Sequence, residues 1–221
     1  MSAFNDSGAV HTAPFYFLKR RGYTEDMIDT YRAFEDLAAH MQEGQDYRIV
    51  TKKRNSPYLI AGIHGGRIEP FTSNIAESIA GEEYDVYLFE GIREKDNAQL
   101  HITSAYFNEP QALDMVRVAE IVIAIHGKHD TEDEFVMVGG LCEKLVQQIQ
   151  EQLRAVDITI KPFDERMHPE SFENICNRGM SGGGVELEIS RKLRDALQED
   201  EGLYRLFINA IRRAIAGYYN N

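Results

Sequence analysis

Residues 58–70, with the sequence YLIAGIHGGRIEP, join an apolar run to a histidine, two glycines and a glutamate. A second apolar run, IVIAI at residues 121–125, also ends in Ile-His-Gly. Short apolar runs with little polar alternation are typical of central strands that are covered on both faces of a sheet. In such sheets the functional groups lie just past the carboxyl ends of the strands. We therefore expect His64 and His126 to lie at one edge of a buried sheet.

Strand-like and helical segments alternate along the whole chain, which predicts an α/β protein with a single mixed-sheet core flanked by helices. No linker rich in glycine, serine or proline interrupts the 221 residues, so we expect one core. Apolar, β-branched and aromatic runs predict strands at 47–50, 58–63, 84–90, 100–104, 120–125, 135–138, 158–160 and 185–190. Helical spacing predicts helices at 24–42, 73–80, 109–117, 140–153, from 190 onward and at 203–218.

Composition excludes several classes of function. The net charge of −12 argues against nucleic acid as a partner, because binding to phosphates depends on Lys and Arg. No apolar run is long enough for a membrane span, and the first residues lack the pattern of a signal peptide, so we expect a cytoplasmic protein. Cys142 and Cys176 are too few for a disulfide framework and are predicted to be reduced thiols.

Carboxylates accompany the two histidines. Glu69 follows His64 by five positions, and Glu186 and Glu188 lie in VELEIS, a third strand of the same kind. Two histidines and one carboxylate, with a fourth position open, are a usual catalytic zinc set, and a remaining glutamate can act as general base. The spacing alone leaves an ordinary hydrogen-bonded role for each histidine equally open.

Other candidates have weaker contexts. His129 lies three residues after His126 and competes as a ligand, but its charged loop is more typical of an exposed residue. The segment GMSGGG lacks the Gly-Lys-Ser/Thr ending of a phosphate loop, and no Gly-x-Ser-x-Gly motif is present. Nucleotide binding at this segment and the most recognisable serine hydrolase signature are therefore both excluded.

Several blocks of the sequence resemble, in the same order, the poly-γ-glutamate hydrolases of Bacillus phages and prophages. The resemblance covers about residues 46–197, and its blocks are GIHGGRIEPFTSNIAESIA, LHITSAYFNEPQAL, IAIHG, VGGL, NICNRG and GGGVELEISRKLR. It implies a compact, carboxypeptidase-like (phosphorylase/hydrolase-like) zinc hydrolase fold. It also implies that the substrate bonds are the γ-glutamyl amide bonds of poly-γ-glutamate.

The resemblance also implies roles for individual residues. Zn²⁺ would be held by His64, Glu69 and His126, with Glu188 as general base and Glu186 as its competitor on the same strand face. The larger carboxypeptidases space their first two ligands as His-x-x-Glu, whereas this chain has His-x-x-x-x-Glu. Because the loop is longer, roles cannot be transferred residue by residue from those enzymes.

Substrate contacts are expected from five further positions. Arg178 is predicted to act in catalysis by stabilising the oxyanion, or to bind a substrate carboxylate, since guanidinium grips carboxylate with two hydrogen bonds. Asn177 beside it is predicted to donate another hydrogen bond. Arg67, between the first two ligands, is a second candidate for substrate carboxylates, and Glu186 and His101 complete the predicted substrate-binding set.

The resembling region begins near residue 46, which predicts an N-terminal helical extension over 1–45, packed on a zinc hydrolase domain over 46–221. The expected partner is an anionic γ-glutamyl polymer or peptide, bound by a monomer that host lysis would release if a phage encodes it. An acidic chain needs a locally positive site to bind such a substrate. One alternative is therefore a zinc amidohydrolase for small N-acyl amino acids or cell-wall γ-glutamyl peptides. Another is a non-enzymatic phage-related protein with a structural metal site.

Overall fold

The structure is a computed structural model that describes residues 29–218. Its centre is a six-stranded mixed sheet, whose strands are β1 (Tyr47–Lys52), β2 (Tyr58–Gly66), β3 (Asp85–Gly91), β4 (Ile121–Lys128), β5 (Val136–Gly139) and β6 (Val185–Ser190). The strand order is β1-β3-β2-β4-β6-β5. The inner strands β3, β2, β4 and β6 are parallel, and the edge strands β1 and β5 are antiparallel to their neighbours.

Helices cover both faces of this sheet. They are α1 (Phe34–Ala38), α2 (Thr72–Ala80), α3 (Pro110–Val118), α4 (Glu143–Arg154), α5 (Arg191–Glu199) and α6 (Glu201–Tyr218). One apolar core joins α2, α4, α5 and α6 to one face, and a second core joins α1 and α3 to the other. The predicted fold class, a single mixed sheet flanked by helices, is confirmed. As predicted, β2 and β4 are central and almost wholly buried.

Three predicted elements differ from the structure. Residues 101–103 form no strand, because Asp29 and His64 take hydrogen bonds that a strand ladder would need. Residues 158–160 contribute only an isolated bridge between Ile160 and Val136. Of the predicted helix at 24–42, the described part is helical only over α1, whose first N–H, that of Phe34, donates to the Asn108 side chain.

The N-terminal part of that predicted helix, residues 24–28, lies outside the described residues. The division of the chain near residue 45 stays a prediction. Between residues 29 and 218, no helix combines the length and the apolar content that crossing a bilayer requires.

The strands that follow β2 in the sequence lie on opposite sides of it in the sheet. The strand next in sequence, β3, pairs with one edge of β2, and β4 pairs with the other. Such a switch point leaves a crevice at the carboxyl ends of the strands. The pairing of β2 with β4 runs only from Tyr58 to Ala61, so the two strands diverge before they reach His64 and His126. Both histidines therefore lie in this crevice.

Candidate active site

Three buried side chains meet where β2 and β4 diverge: His64, Glu69 and His126. Nδ1 of His64 lies 3.1 Å from Oε1 of Glu69 and 3.0 Å from Nδ1 of His126. Nδ1 of His126 lies 3.8 Å from Oε2 of Glu69, which also accepts a 2.7 Å hydrogen bond from the N–H of Gly127. The potential ligand atoms all lie within 4.8 Å of one another, so this group could hold a metal ion.

Glu69 returns to His64 because the chain turns tightly after β2. The N–H of Glu69 donates to the His64 carbonyl oxygen at 3.0 Å, and the Thr72 hydroxyl donates to the Glu69 carbonyl oxygen at 2.7 Å. The turn requires glycine at Gly66, whose φ is +64° and where a Cβ would lie 2.5 Å from the carbonyl oxygen of Gly91. The His-x-x-x-x-Glu spacing thus forms one turn that brings carboxylate and imidazole together.

The outer nitrogens of both imidazoles have partners away from the cluster. Nε2 of His64 lies 2.9 Å from the carbonyl oxygen of Ile102, a contact in which the nitrogen must donate. Nε2 of His126 lies 3.3 Å from the hydroxyl oxygen of Ser104. Burial lowers the pKa of His64, but the charge of Glu69 and a hydrogen bond to it outweigh this and raise it. In the neutral form of His64 the proton is on Nε2, so Nδ1 then presents a lone pair to the cluster. This is the arrangement that orients a histidine as a metal ligand.

The donor set fits a zinc ion. Tetrahedral zinc with bonds of about 2.0–2.1 Å keeps its ligand atoms roughly 3.3 Å apart. Nδ1 of His64 lies near this distance from two potential ligand atoms, at 3.0 Å from Nδ1 of His126 and 3.1 Å from Oε1 of Glu69, and the other Glu69 oxygen lies 3.8 Å from Nδ1 of His126. Two imidazole nitrogens and one carboxylate oxygen also match the ligand chemistry of catalytic zinc and leave a fourth position for water or substrate.

Burial and the charges inside the cluster shift the pKa values of its members. Burial raises the pKa of Glu69, but His64 and more weakly His126 and His101 reverse this and hold it at about 2. Burial lowers the pKa of His126, and His64 lowers it further, to about 3. Glu69 is therefore an anion and His126 a neutral base at neutral pH, which are the forms that bind metal.

Glu186 and Glu188 project from one face of β6 toward this cluster, and Glu188 pairs in register with His126. The two carboxylates have different surroundings. Glu186 is buried and accepts a hydrogen bond from the side-chain amide of Asn174. The carboxylate of Glu188 has no hydrogen-bond or ion-pair partner among the described residues. Glu188 is thus the carboxylate that remains available to a water or a substrate.

Both glutamates are harder to ionise than an ordinary carboxyl group. Burial raises the pKa of Glu186 to about 7, against the opposing effect of the Asn174 hydrogen bond. Burial also raises the pKa of Glu188 well above its ordinary value, and the charges of Glu69 and Glu186 raise it further. A positive ion in the cluster would favour the ionised forms of both.

Zinc-free protein should lose stability as Glu186 ionises. Its pKa rises from 4.5 to about 7 on folding, so its contribution to stability is full below pH 4.5 and is lost as the pH rises through about 7. We expect Glu186→Gln to raise the free energy of unfolding relative to wild type by roughly 3 kcal/mol at pH 8, and much less at pH 4.5. Urea unfolding at both pH values measures this. Glu199→Gln, at an exposed site, serves as control. A difference between Glu186→Gln and wild type that does not change with pH would contradict the assignment.

Arg194 links the three segments that carry Glu69, His126 and Glu188. It is buried on α5, and its guanidinium donates to the carbonyl oxygens of Pro70, Lys128 and Ile189. These residues follow Glu69, His126 and Glu188 by one or two positions. Gly127 makes room for it, because a Cβ there would lie 2.5 Å from the guanidinium carbon. One cation thus fixes the spacing of the crevice walls.

Lys128 places a second positive charge at the crevice. It is the last residue of β4, two positions after His126, and its side chain is half-buried. Its ammonium contacts the Met167 sulfur at 3.6 Å and has no ion-pair partner among the described residues. It lies near enough to Glu188 to oppose the rise in the pKa of that carboxyl group. An unpaired ammonium in this position is suited to bind an anionic substrate group.

The predicted substrate-binding residues differ in how much of their hydrogen-bonding capacity is already used by main-chain groups. The guanidinium of Arg178 donates four of its five N–H groups to the carbonyl oxygens of Glu173, Ala105 and Phe107. This network joins the loop at 105–107 to the loop at 173. One N–H of Nη1 is left for a ligand, and the predicted role at the oxyanion stays a prediction.

Asn177 is buried, and all four of its hydrogen bonds are made to main-chain groups. It donates to the carbonyl oxygens of Pro169 and Ser171 and accepts from the N–H groups of Leu141 and Gly184. Its side chain therefore joins three segments of the chain, and its predicted contact with substrate stays a prediction. Arg67 is exposed and donates to the carbonyl oxygen of Arg93, which leaves most of its guanidinium open to solvent.

His101 lies directly against the cluster. Its ring packs on the His64 ring with a centroid distance of 3.9 Å, and its Nε2 lies 3.9 Å from Oε1 of Glu69. Its Nδ1 lies 2.6 Å from Oδ1 of Asp29. His101 is thus brought to the site as predicted, and substrate binding by it remains a prediction.

Sequence reasoning missed four residues that shape the site: Arg194, Lys128, Ser104 and Asp29. Arg194 had a signal, because it lies beside Leu193 and one turn from Leu197, on the inward face of α5. A charged residue on an inward helix face indicates a buried partner. Ser104 and Asp29 gave no signal, since their contacts depend on a loop that the sequence suggested was a strand.

The chain matches known proteins over the same region. A sequence profile of the family described as "Poly-gamma-glutamate hydrolase" matches residues 31–208. The UPF0714 protein YndL of Bacillus subtilis (strain 168) is 37% identical over 171 residues, which are 76% of this chain and 67% of YndL. The SPbeta prophage-derived UPF0714 protein YoqZ of the same organism is 34% identical over 168 residues, 75% of this chain and 60% of YoqZ. The residues of this chain that the profile matches include every strand of the sheet.

Two solved structures are similar over almost their full length. A bacteriophage poly-gamma-glutamate hydrolase has a TM-score of 0.83 and 30% identity, covering 87% of this chain and 99% of that one. A zinc-free apo structure of YndL has a TM-score of 0.80 and 33% identity, covering 87% of this chain and 100% of that one. The carboxypeptidase-like fold implied by the sequence blocks is confirmed.

Proposed function

Because the chain belongs to the poly-γ-glutamate hydrolase family, as its sequence blocks predicted, we propose that it is a zinc-dependent hydrolase of γ-glutamyl amide bonds. The proposed metal ligands are His64, Glu69 and His126, and the proposed general base is Glu188. The observation that carries the proposal is the meeting of the three proposed ligands in one crevice, with Glu188 in register beside His126 and without a hydrogen-bond or ion-pair partner among the described residues. The zinc-free description of the YndL structure supports zinc as the metal.

Each residue has a distinct part in the proposed reaction. When bound, zinc supplies Lewis-acid chemistry: it polarises a carbonyl group, acidifies a water molecule and favours the ionised form of nearby carboxylates. Glu188 takes a proton from the attacking water and passes it to the nitrogen of the leaving amide. Glu186, held by Asn174, stays beside Glu188 and keeps its side chain on the crevice face of β6.

Recognition of the substrate requires positive charge in an acidic protein. Every γ-linked glutamate carries an α-carboxylate close to its amide bond, so a cation near the site distinguishes this polymer from a neutral amide. We propose Lys128 for this contact, since its ammonium is unpaired among the described residues and lies near Glu188. Arg67 and the remaining N–H of Arg178 are proposed to bind more distant carboxylates.

Replacing Lys128 by methionine should weaken substrate binding. We expect kcat/KM for poly-γ-glutamate to fall by roughly 10–100-fold, mainly through KM, because a charged hydrogen bond is lost. Lys53→Met, at an exposed position just after β1, should leave both constants unchanged. The loss should shrink for a γ-glutamyl substrate whose α-carboxylate is amidated. Equal kinetics for wild type and Lys128→Met would remove Lys128 from the substrate site.

The test of the proposed function compares two substrate classes. Zinc-loaded protein is incubated with high-molecular-weight poly-γ-glutamate, with γ-glutamyl dipeptides and with N-acyl amino acids, and chain length and free amines are measured. We expect internal shortening of the polymer that a chelator abolishes. Turnover of small amides with intact polymer would favour the amidohydrolase alternative. No turnover of any of them by folded, zinc-loaded protein would favour a structural metal site.

A further inference from the structure

Asp29 lies outside the region that matches the family profile, yet it reaches the active site. One carboxylate oxygen lies 2.6 Å from Nδ1 of His101, and the other accepts a 2.7 Å hydrogen bond from the N–H of Thr103. Its side chain is largely shielded from solvent, with a relative exposure of 12%. Asp29 therefore binds the two residues that flank Ile102 with both of its oxygens.

Asp29 binds the segment at residues 101–104. This segment contacts both candidate histidine ligands at Nε2, the ring nitrogen that faces away from Glu69. The carbonyl oxygen of Ile102 accepts from Nε2 of His64, and the hydroxyl of Ser104 contacts Nε2 of His126. The His101 ring lies on the His64 ring. The orientation of the two imidazoles is thus set by this one segment.

No strand ladder holds the 101–104 segment in place. Residues 101–103 have no regular secondary structure, and the N–H of Thr103 donates to Asp29 rather than to a main-chain carbonyl. At the segment's ends, the N–H of His101 bonds to Ala98 and the carbonyl of Ser104 accepts from Ile175. Between these two points the carbonyl oxygen of Thr103 accepts from the N–H groups of Tyr106 and Phe107, while the Asp29 carboxylate binds the Thr103 N–H and the His101 ring.

We propose that Asp29, two residues before the family match begins, is a positioning residue for the metal centre. Asp29 holds residues 101–104 so that the Ile102 carbonyl and the Ser104 hydroxyl keep both imidazoles with Nδ1 toward Glu69. This inference rests on the proposed metal site. The charge of Asp29 also keeps the Nδ1 proton of His101 directed away from the cluster, which leaves Nε2 facing Glu69.

Loss of an outer partner of a metal ligand typically weakens metal binding by 10–100-fold. Asp29 acts one contact further out, so we expect the zinc dissociation constant of Asp29→Ala to rise about tenfold. Asp29→Asn keeps one acceptor oxygen and should lie between Asp29→Ala and wild type. Asp36→Ala removes an exposed carboxylate from α1, seven residues after Asp29, and should bind zinc as wild type does.

The experiment uses the full chain and titrates zinc against a chromophoric chelator of known affinity. Circular dichroism and melting of the zinc-free proteins check that each variant is folded. A graded loss of affinity in the order wild type, Asp29→Asn, Asp29→Ala supports the inference, and folded Asp29→Ala with wild-type affinity overturns it. If Asp29→Ala does not fold, Asp29→Asn decides in the same way, since unchanged affinity overturns the role. Wild type that binds no zinc overturns the metal site itself, which is a different failure.

Discussion

Replacing Glu188 by glutamine is expected to lower kcat/KM for poly-γ-glutamate by about 10²–10⁴-fold, the usual contribution of a positioned general base. The change keeps the size of the side chain and removes its ability to take a proton from water. Because Glu188 is not among the proposed zinc ligands, zinc should remain bound at one ion per chain. Initial rates of polymer shortening and zinc content by atomic spectroscopy measure the two quantities on the same samples.

Glu186→Gln is the matched control for this prediction. It alters the carboxylate two residues away on the same face of β6, and an amide oxygen can still accept the hydrogen bond from Asn174. We expect Glu186→Gln to keep much more activity than Glu188→Gln. If Glu188→Gln cleaves as fast as wild type while Glu186→Gln is inactive, the base is Glu186 and our assignment is wrong.

Replacing Glu69 by glutamine is expected to weaken zinc binding by at least 100-fold and to abolish activity at stoichiometric zinc. The substitution keeps an oxygen that can accept from the Gly127 N–H, but it removes the charge that faces both imidazoles. Since loss of an outer partner alone weakens metal binding by 10–100-fold, loss of a charged ligand should exceed that range. Competitive chelator titration measures the affinity, and excess zinc should restore part of the activity.

Thermal melting gives an independent view of the same variant. Any ion that binds only the folded chain raises its melting temperature, by an amount that grows with the ratio of free ion concentration to the dissociation constant. We expect added zinc to stabilise wild type strongly and Glu69→Gln little at the same concentration. A Glu69→Gln protein that gains as much stability from zinc as wild type would show that the ion binds elsewhere.

The central strands could be predicted from the sequence because they must be buried. YLIAGI and IVIAI carry almost no polar residue, and a segment of that kind has few stable positions other than the middle of a sheet. The segment LHITS gave a false signal. Its alternation resembles a strand, but His101 and Thr103 bind Asp29, a contact between distant parts of the chain that no local pattern encodes.

The candidate site shows the same division. The meeting of His64, Glu69 and His126 could be predicted because each follows a buried strand, and parallel strands bring their carboxyl ends to one edge. Their role as metal ligands stays a proposal. The separate environments of Glu186 and Glu188 could not be predicted, since the difference depends on Asn174, twelve residues earlier in a loop. Arg178 and Asn177 were chosen for their chemistry, and the structure shows how much of that chemistry is already directed to main-chain groups.

The central claim is that one zinc ion held in the crevice is required for cleavage of γ-glutamyl bonds. The most direct test removes metal with a chelator, returns zinc in measured fractions and follows polymer shortening at each step. We predict that activity is absent without zinc, rises in proportion to bound zinc and saturates at one ion per chain. Full activity in metal-free protein, or one bound zinc without cleavage of any γ-glutamyl substrate, would contradict the account.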